Sequence, residues 1–204
     1  MMMFWKARLV MLAVPKTGTQ AYEAALGAQA DMVIRHPPGA KHVTAQGFRR
    51  RILPLLDPDE SQRLETLAVI REPIDWLGSW YRYRGRPQLE GQPNSTAGRS
   101  FDEFVEAYLS PAPPAFARVG SQARFASNKA GKVIVDHLFA YEDQDGLRRF
   151  LEQRLGVAIE PPARNVSPSG QPTLAPAIEA RLREVCAPDF TLHAKLRAGH
   201  ARPG

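Results

Sequence analysis

The stretch RLVMLAVPKTGTQAYEAAL, residues 8–26, decides how this chain folds. Residues 9–14 form an uninterrupted apolar run, which is typical of a buried strand in a parallel sheet. Pro15 cannot donate to a strand ladder, and Gly18 gives the backbone the freedom that a tight turn needs. Good helix formers follow until Gly27 ends the run. The pattern therefore predicts a strand, a short turn and a helix.

A turn of this kind favours an anion. The first backbone N–H groups of the helix point at one spot beside the turn, where they attract negative charge. Lys16 adds a full positive charge, and Thr17 and Thr19 add hydroxyl donors. The segment is not a Walker A loop, because in GxxxxGK[ST] the lysine follows the second glycine. We predict a loop that binds phosphate or sulfate, with an ordinary strand-to-helix connection and an exposed lysine as the alternative.

Composition places further bounds on the protein. At 204 residues the chain is expected to form one domain, 1–204, with a frayed tail after about residue 196. The formal net charge of +6 suits anionic ligands, nucleic acid among them, without specifying one. A single cysteine, Cys186, excludes an internal disulfide and a zinc site built from cysteines.

The N-terminal segment is apolar enough to raise the question of a signal peptide. Lys6 and Arg8 interrupt it where the apolar region of a signal peptide would be continuous. No apolar stretch reaches the roughly 18 residues that a membrane span needs. We therefore expect a cytoplasmic protein without a membrane span.

Strand and helix patterns alternate along the rest of the chain. The strand candidates are 31–34, 64–70 and 137–141, and the helix candidates are 44–56, 74–86, 100–109, 145–157 and 175–186. This alternation predicts an α/β fold with a mainly parallel sheet flanked by helices. Ligands of such sheets bind at the carboxyl ends of the strands. Lys16 and Arg71 both follow a buried strand directly.

Two motifs together resemble a known family. Arg71 and Pro73 with Ser79 and Tyr81 form an R-x-P-x5-S-x-Y pattern. With the Lys-Thr-Gly-Thr turn at 16–19, it resembles the two donor-binding signatures of sulfotransferases that use 3′-phosphoadenosine 5′-phosphosulfate (PAPS). The HLFAYED segment at 137–143 and the RNVSPSG loop at 164–170 are similar to further features of that family. The resemblance covers most of the chain and is nearest to the carbohydrate-type branch.

The resemblance implies a P-loop-like sulfotransferase fold and a function. The enzyme would move a sulfuryl group from PAPS to a hydroxyl of a carbohydrate or other small acceptor, without a metal. Lys16 would stabilise the leaving oxygen, and Arg71 and Ser79 would bind the 3′-phosphate of PAPS. The other residues expected at the donor are Thr17, Gly18, Thr19, Gln20, Arg164 and Asn165. Many family members carry a second arginine five residues after the first, where this chain has Trp76.

The acceptor hydroxyl also needs a general base, and four residues are candidates. His42 is preferred, because its Lys-His-x-Thr context resembles that of family members whose base is a histidine. An unperturbed histidine, with a pKa near ~6.5, can accept a proton at neutral pH. His36 follows the same strand candidate and is the second choice. Glu23 is expected to point to solvent, and His137 to be packed within a strand.

Two other functions compete with this interpretation. A nucleotide-binding phosphotransferase should show a Walker-type lysine and an acidic Mg²⁺ ligand at a strand end, and the sequence shows neither. A non-catalytic, basic nucleic-acid-binding module should interleave basic residues with exposed aromatics, as only YRYRGR at 81–86 does. We therefore expect no specific binding of nucleic acid.

Overall fold

The computed structural model describes residues 1–56, 63–160 and 173–199. They form an α/β fold around one mixed sheet of five strands: β1 (Met2–Phe4), β2 (Leu9–Met11), β3 (Met32–Val33), β4 (Glu65–Ile70) and β5 (His137–Ala140). The spatial order is β3-β1-β2-β4-β5. β2, β4 and β5 pair in parallel, whereas β1 is antiparallel to both of its neighbours. Four strands therefore run in one direction, and the predicted α/β class with a mostly parallel sheet is confirmed.

Helices connect and cover the strands. They are α1 (Thr19–Leu26), α2 (Pro38–Lys41), α3 (Ala45–Arg51), α4 (Pro73–Arg84), α5 (Phe101–Tyr108), α6 (Gln122–Ala126), α7 (Gln144–Leu155), α8 (Pro176–Val185) and α9 (Ala187–Arg197). Several helix ends follow from local sequence. Thr44 caps α3, Ser100 and Glu103 form a capping box at α5, and Gly156 ends α7 in the left-handed conformation.

Apolar side chains project from both faces of the sheet. The even-numbered Val10 and Leu12 of the β2 segment pack in one cluster with residues of α3, α6 and α9. The odd-numbered Leu9 and Met11 pack in another with α1 and α7. Because both faces are covered, the strand reads as a continuous apolar run rather than as an alternating one. A third cluster joins α4, α5 and α8.

Three elements were not predicted from the sequence, namely β1, α9 and the short helix α2. β1 is fully buried and pairs with β2 through a tight connection in which the Arg8 N–H donates to the Trp5 carbonyl. The second is α9, which begins directly after α8 with Pro188 in its first turn, where the missing N–H of proline costs nothing.

Across the three described ranges, no helix has the length and apolar character needed to cross a membrane.

Candidate anion-binding site

The turn after β2 contains two residues with left-handed backbone conformation. Lys16 has φ = 66° and Gly18 has φ = 75°, both in the left-handed region. At Gly18 a side chain would be strained, and its Cβ would also lie 3.2 Å from Cε2 of Tyr141. At Lys16 a non-glycine residue holds that conformation, which is uncommon and concentrates at functional sites. The predicted strand, turn and helix are present.

Buried side chains anchor this turn from inside. Thr17 is fully buried, and its hydroxyl donates to the Val14 carbonyl at 2.9 Å. Its single O–H is thus used within the protein, so the hydroxyl donor that the sequence suggested at Thr17 is not directed at an anion. Trp76 donates its indole N–H to the Pro15 carbonyl at 2.8 Å. The residue that stands in place of an expected second arginine therefore holds the turn.

Arg71 meets the turn because β2 and β4 are parallel neighbours, whose carboxyl ends lie at the same edge of the sheet. Its Nη1 donates to the Lys16 carbonyl at 3.3 Å, and its Nε donates to Asp75 Oδ2. The guanidinium carbon lies 4.4 Å from the ring centroid of Tyr141. The structure thus brings together Lys16 and Arg71, the two cations that sequence reasoning placed at strand ends.

The Lys16 ammonium lies against aromatic rings. Its Nζ is 4.2 Å from the ring centroid of Tyr83 and 5.9 Å from that of Trp80. Burial lowers the pKa of Lys16 to about 8, and repulsion from Arg86, Arg71 and Arg82 adds to the effect. Within the described residues, no carboxylate forms an ion pair with Lys16. Concentrated, half-buried positive charge of this kind attracts an anion.

The other residues that the sequence predicts to bind the donor nucleotide differ in exposure and in position. Ser79 is half-buried on α4, four residues after Asp75 and three before Arg82, so the three side chains share one face of the helix. Thr19 opens α1 and is half-buried, whereas Gln20 is exposed. Arg164 and Asn165 lie outside the described residues.

His42 lies beside the segment that leads into the turn. Its Nδ1 is 2.8 Å from the Ala13 carbonyl oxygen. Since a carbonyl only accepts, Nδ1 carries the proton and Nε2 carries the lone pair of the neutral ring. Burial lowers the pKa of His42; the bond to Ala13 opposes this, and the Lys41 charge adds to it. The ring is therefore in its proton-accepting form at neutral pH. His36, by contrast, is exposed.

Glu23 does not point freely to solvent, so that expectation was wrong. Its Oε1 accepts from Arg35 Nε at 2.8 Å, and its Oε2 lies 3.7 Å from Lys41 Nζ. Only 16% of its side chain is exposed. Glu23 is committed to two cations that come from later in the chain.

His137 lies at the start of β5, at the opposite end of the sheet from Arg71. Its Nε2 is 2.9 Å from Glu65 Oε2, and its ring packs on Phe150 with the centroids 4.7 Å apart. It is a packed histidine remote from the turn.

Sequence reasoning missed three residues that shape the site. Tyr83 and Tyr141 contact Lys16 and Arg71, and both lie in segments whose motifs were noted without a role for these side chains. Gln122, which is 1% exposed, bonds the backbone of Arg71, and no local signal points to it.

No group of three His, Cys, Asp or Glu side chains that could hold a metal is found among the described residues. A cavity of about 230 Å³ lies elsewhere, along α3, and is lined by Thr44, Gln46, Gly47, Arg50 and Arg51.

Comparisons with known protein families, with curated proteins and with solved structures give no match to this chain. The interpretation of the site therefore depends on its geometry and on the sequence motifs.

Proposed function

We propose that this protein is a sulfotransferase that moves a sulfuryl group from PAPS to a hydroxyl of a carbohydrate or other small acceptor. The observation that carries the proposal is the hydrogen bond from Arg71 to the Lys16 carbonyl. It joins the ends of two parallel strands and brings two cationic side chains to one edge of the sheet. PAPS is an anion at both ends of its ribose, so it needs two such groups at once. We infer a P-loop-like sulfotransferase fold on the same grounds.

In this proposal Arg71 and Ser79 bind the 3′-phosphate. Asp75 holds Arg71 Nε and the Lys16 carbonyl holds Nη1, which orients the guanidinium before a ligand arrives. In the described structure Nη2 has no protein acceptor, so it is available for a phosphate oxygen. Charge-assisted hydrogen bonds from a guanidinium that is held in place are stronger than hydrogen bonds between neutral groups. Arg82, on the same face of α4 as Ser79, adds positive charge.

The chemistry is an in-line displacement at sulfur. A bond forms between the acceptor oxygen and sulfur, while the bond from sulfur to the 5′-phosphate oxygen breaks. Lys16 and the N–H groups of the turn stabilise the negative charge that develops on the leaving oxygen. Nε2 of His42 accepts the proton that the acceptor hydroxyl loses. The products are a sulfate ester and adenosine 3′,5′-bisphosphate.

Calorimetry with two nucleotides tests the donor site. We expect adenosine 3′,5′-bisphosphate to bind in the micromolar range and AMP to bind about 10- to 100-fold more weakly, the scale of one lost charge-assisted contact. Arg71→Ala should remove this difference. Arg50→Ala is the matched control, because Arg50 is an exposed arginine of α3 away from the turn. Equal affinity of the unmodified protein for both nucleotides would refute the assignment of Arg71.

A further inference from the structure

Residues 71 and 72 join β4 to α4. The side chain of Gln122, from α6, bonds the backbone at Arg71. Oε1 of Gln122 accepts from the Arg71 N–H at 2.9 Å, and its Nε2 donates to the Arg71 carbonyl at 2.8 Å. Gln122 is 1% exposed. Its side-chain amide thus satisfies both backbone groups of Arg71, as a residue of a neighbouring strand would.

Gln122 is itself held by α9. Oδ1 of Asp189 accepts from the N–H groups of Gln122 and Ala123, at 2.8 and 3.0 Å. Its other oxygen, Oδ2, accepts from the Ser121 hydroxyl at 2.8 Å. Asp189 is 6% exposed and lies in the first turn of α9. A buried carboxylate therefore fixes the start of α6, and with it the position of Gln122.

A second chain of bonds runs from α9 to the next residue. Oε1 of Glu142 accepts from the Glu72 N–H at 3.0 Å. Its Oε2 lies 2.9 Å from Nε2 of His193. His193 follows Asp189 by four residues, so both lie on one face of α9. Two adjacent backbone N–H groups at the end of β4 are thus bonded by side chains that α9 holds.

We propose that Gln122 is a positioning residue for Arg71, held by Asp189 of α9, and that it sets the affinity of the site for the 3′-phosphate. The inference rests on the proposed function, which gives Arg71 that ligand. Arg71 bonds the Lys16 carbonyl through Nη1. A displacement of the Arg71 backbone therefore moves the guanidinium relative to the turn that binds the other end of the nucleotide. A buried polar network whose members are all hydrogen-bonded holds such a position rigidly.

The test is Gln122→Met, which preserves side-chain length and approximate volume but removes both bonds to Arg71. Affinities for adenosine 3′,5′-bisphosphate and AMP are measured by calorimetry well below the melting temperature. We expect the ratio of the two affinities to fall roughly 3- to 30-fold, the range expected for residues that share one network. The ratio separates the positioning role from a purely structural one, since lost stability alone does not change it.

Thr66→Val is the matched control. Thr66 is 2% exposed and lies near the start of β4, at the other end of the strand from Arg71. Its hydroxyl donates to Asp136 Oδ2 at 2.7 Å, so the variant also loses a partly buried hydrogen bond. We expect a lower melting temperature and an unchanged affinity ratio. An equal fall of the ratio in Thr66→Val and Gln122→Met would overturn the specific role of Gln122.

Gln122→Glu provides a second test of the same role if Gln122→Met does not fold. A protonated carboxyl both donates and accepts, whereas an ionised one cannot donate to the Arg71 carbonyl. Burial raises the pKa of an introduced carboxyl, so its ionisation moves toward neutral or alkaline pH. We expect the affinity ratio of Gln122→Glu to fall between pH 7 and 9, and that of the unmodified protein to stay constant.

The outcomes separate this inference from the proposed function. An unmodified protein that prefers the bisphosphate, with folded Gln122 variants that share its ratio at every pH, overturns the positioning role alone. An unmodified protein without that preference overturns the assignment of Arg71, and the role of Gln122 with it.

Discussion

Replacing Lys16 by methionine should stabilise the protein. Methionine keeps the length of the side chain and its contact with Tyr83, but removes a half-buried charge that pairs with no carboxylate among the described residues. Lowering the pKa of Lys16 from 10.5 to about 8 means that the charged lysine destabilises the folded protein by at most about 3.4 kcal/mol. Lys16 is only half-buried, so solvent screens its charge, and we expect a stability gain of about 1–2 kcal/mol at pH 7.

The stability gain of Lys16→Met should decrease as the pH rises. The folded-state pKa of Lys16 is lower than the unfolded one, so the charged lysine opposes folding most strongly below about pH 8. Between pH 8 and about 10.5 the folded protein releases the proton, and the penalty fades. The stability difference between Lys16→Met and the unmodified protein should therefore be full at pH 7 and small at pH 10.5.

Urea unfolding at pH 7, 9 and 10.5 measures this difference directly. Lys132→Met is the control, because Lys132 is exposed and its replacement should leave stability nearly unchanged. A Lys16→Met variant that is no more stable than the unmodified protein at pH 7 would refute the reasoning. It would mean that the aromatic rings compensate fully for the burial of the ammonium.

The Lys16→Met variant and three further ones test the chemistry and the turn, and turnover of the lysine and histidine variants is measured once an acceptor is found. Lys16→Met should lower turnover by about 10²- to 10³-fold, because it removes one stabiliser of the leaving oxygen; near-normal turnover would exclude that role. His42→Ala should lose about 10²- to 10⁴-fold in turnover with little change in donor affinity, and His36→Ala far less; the opposite order would make His36 the base. Trp76→Phe removes the bond to the Pro15 carbonyl and should cost about 1–3 kcal/mol in urea unfolding, and an unchanged midpoint would contradict the anchoring role.

The parts of the site that sequence reasoning predicted depend on local patterns. An apolar run, a glycine and good helix formers are enough to predict the turn at Lys16. The position of Arg71 follows from one rule, since residues that end parallel strands meet at one edge. The same holds for the caps at Thr44 and Ser100, where a polar side chain bonds the backbone three residues on.

The parts that were missed depend on partners far along the chain. β1 has only three residues, too few for periodicity to show, and it is a strand because it pairs with β2 and β3. Glu23 looks like a solvated helix residue until Arg35 and Lys41 are brought beside it. Gln122 is 51 residues from Arg71, so nothing near either residue in sequence marks their contact.

The aromatic contacts of the turn give a way to detect whether an anion binds there. The chain has three tryptophans, and two of them belong to this region: Trp76 bonds the turn, and Trp80 lies near the Lys16 ammonium. An anion that draws the ammonium away from the ring of Trp80 changes the electric field at that indole. Its emission should change with it. Nucleotide binding should therefore be visible by intrinsic fluorescence, without a label and before any acceptor is known.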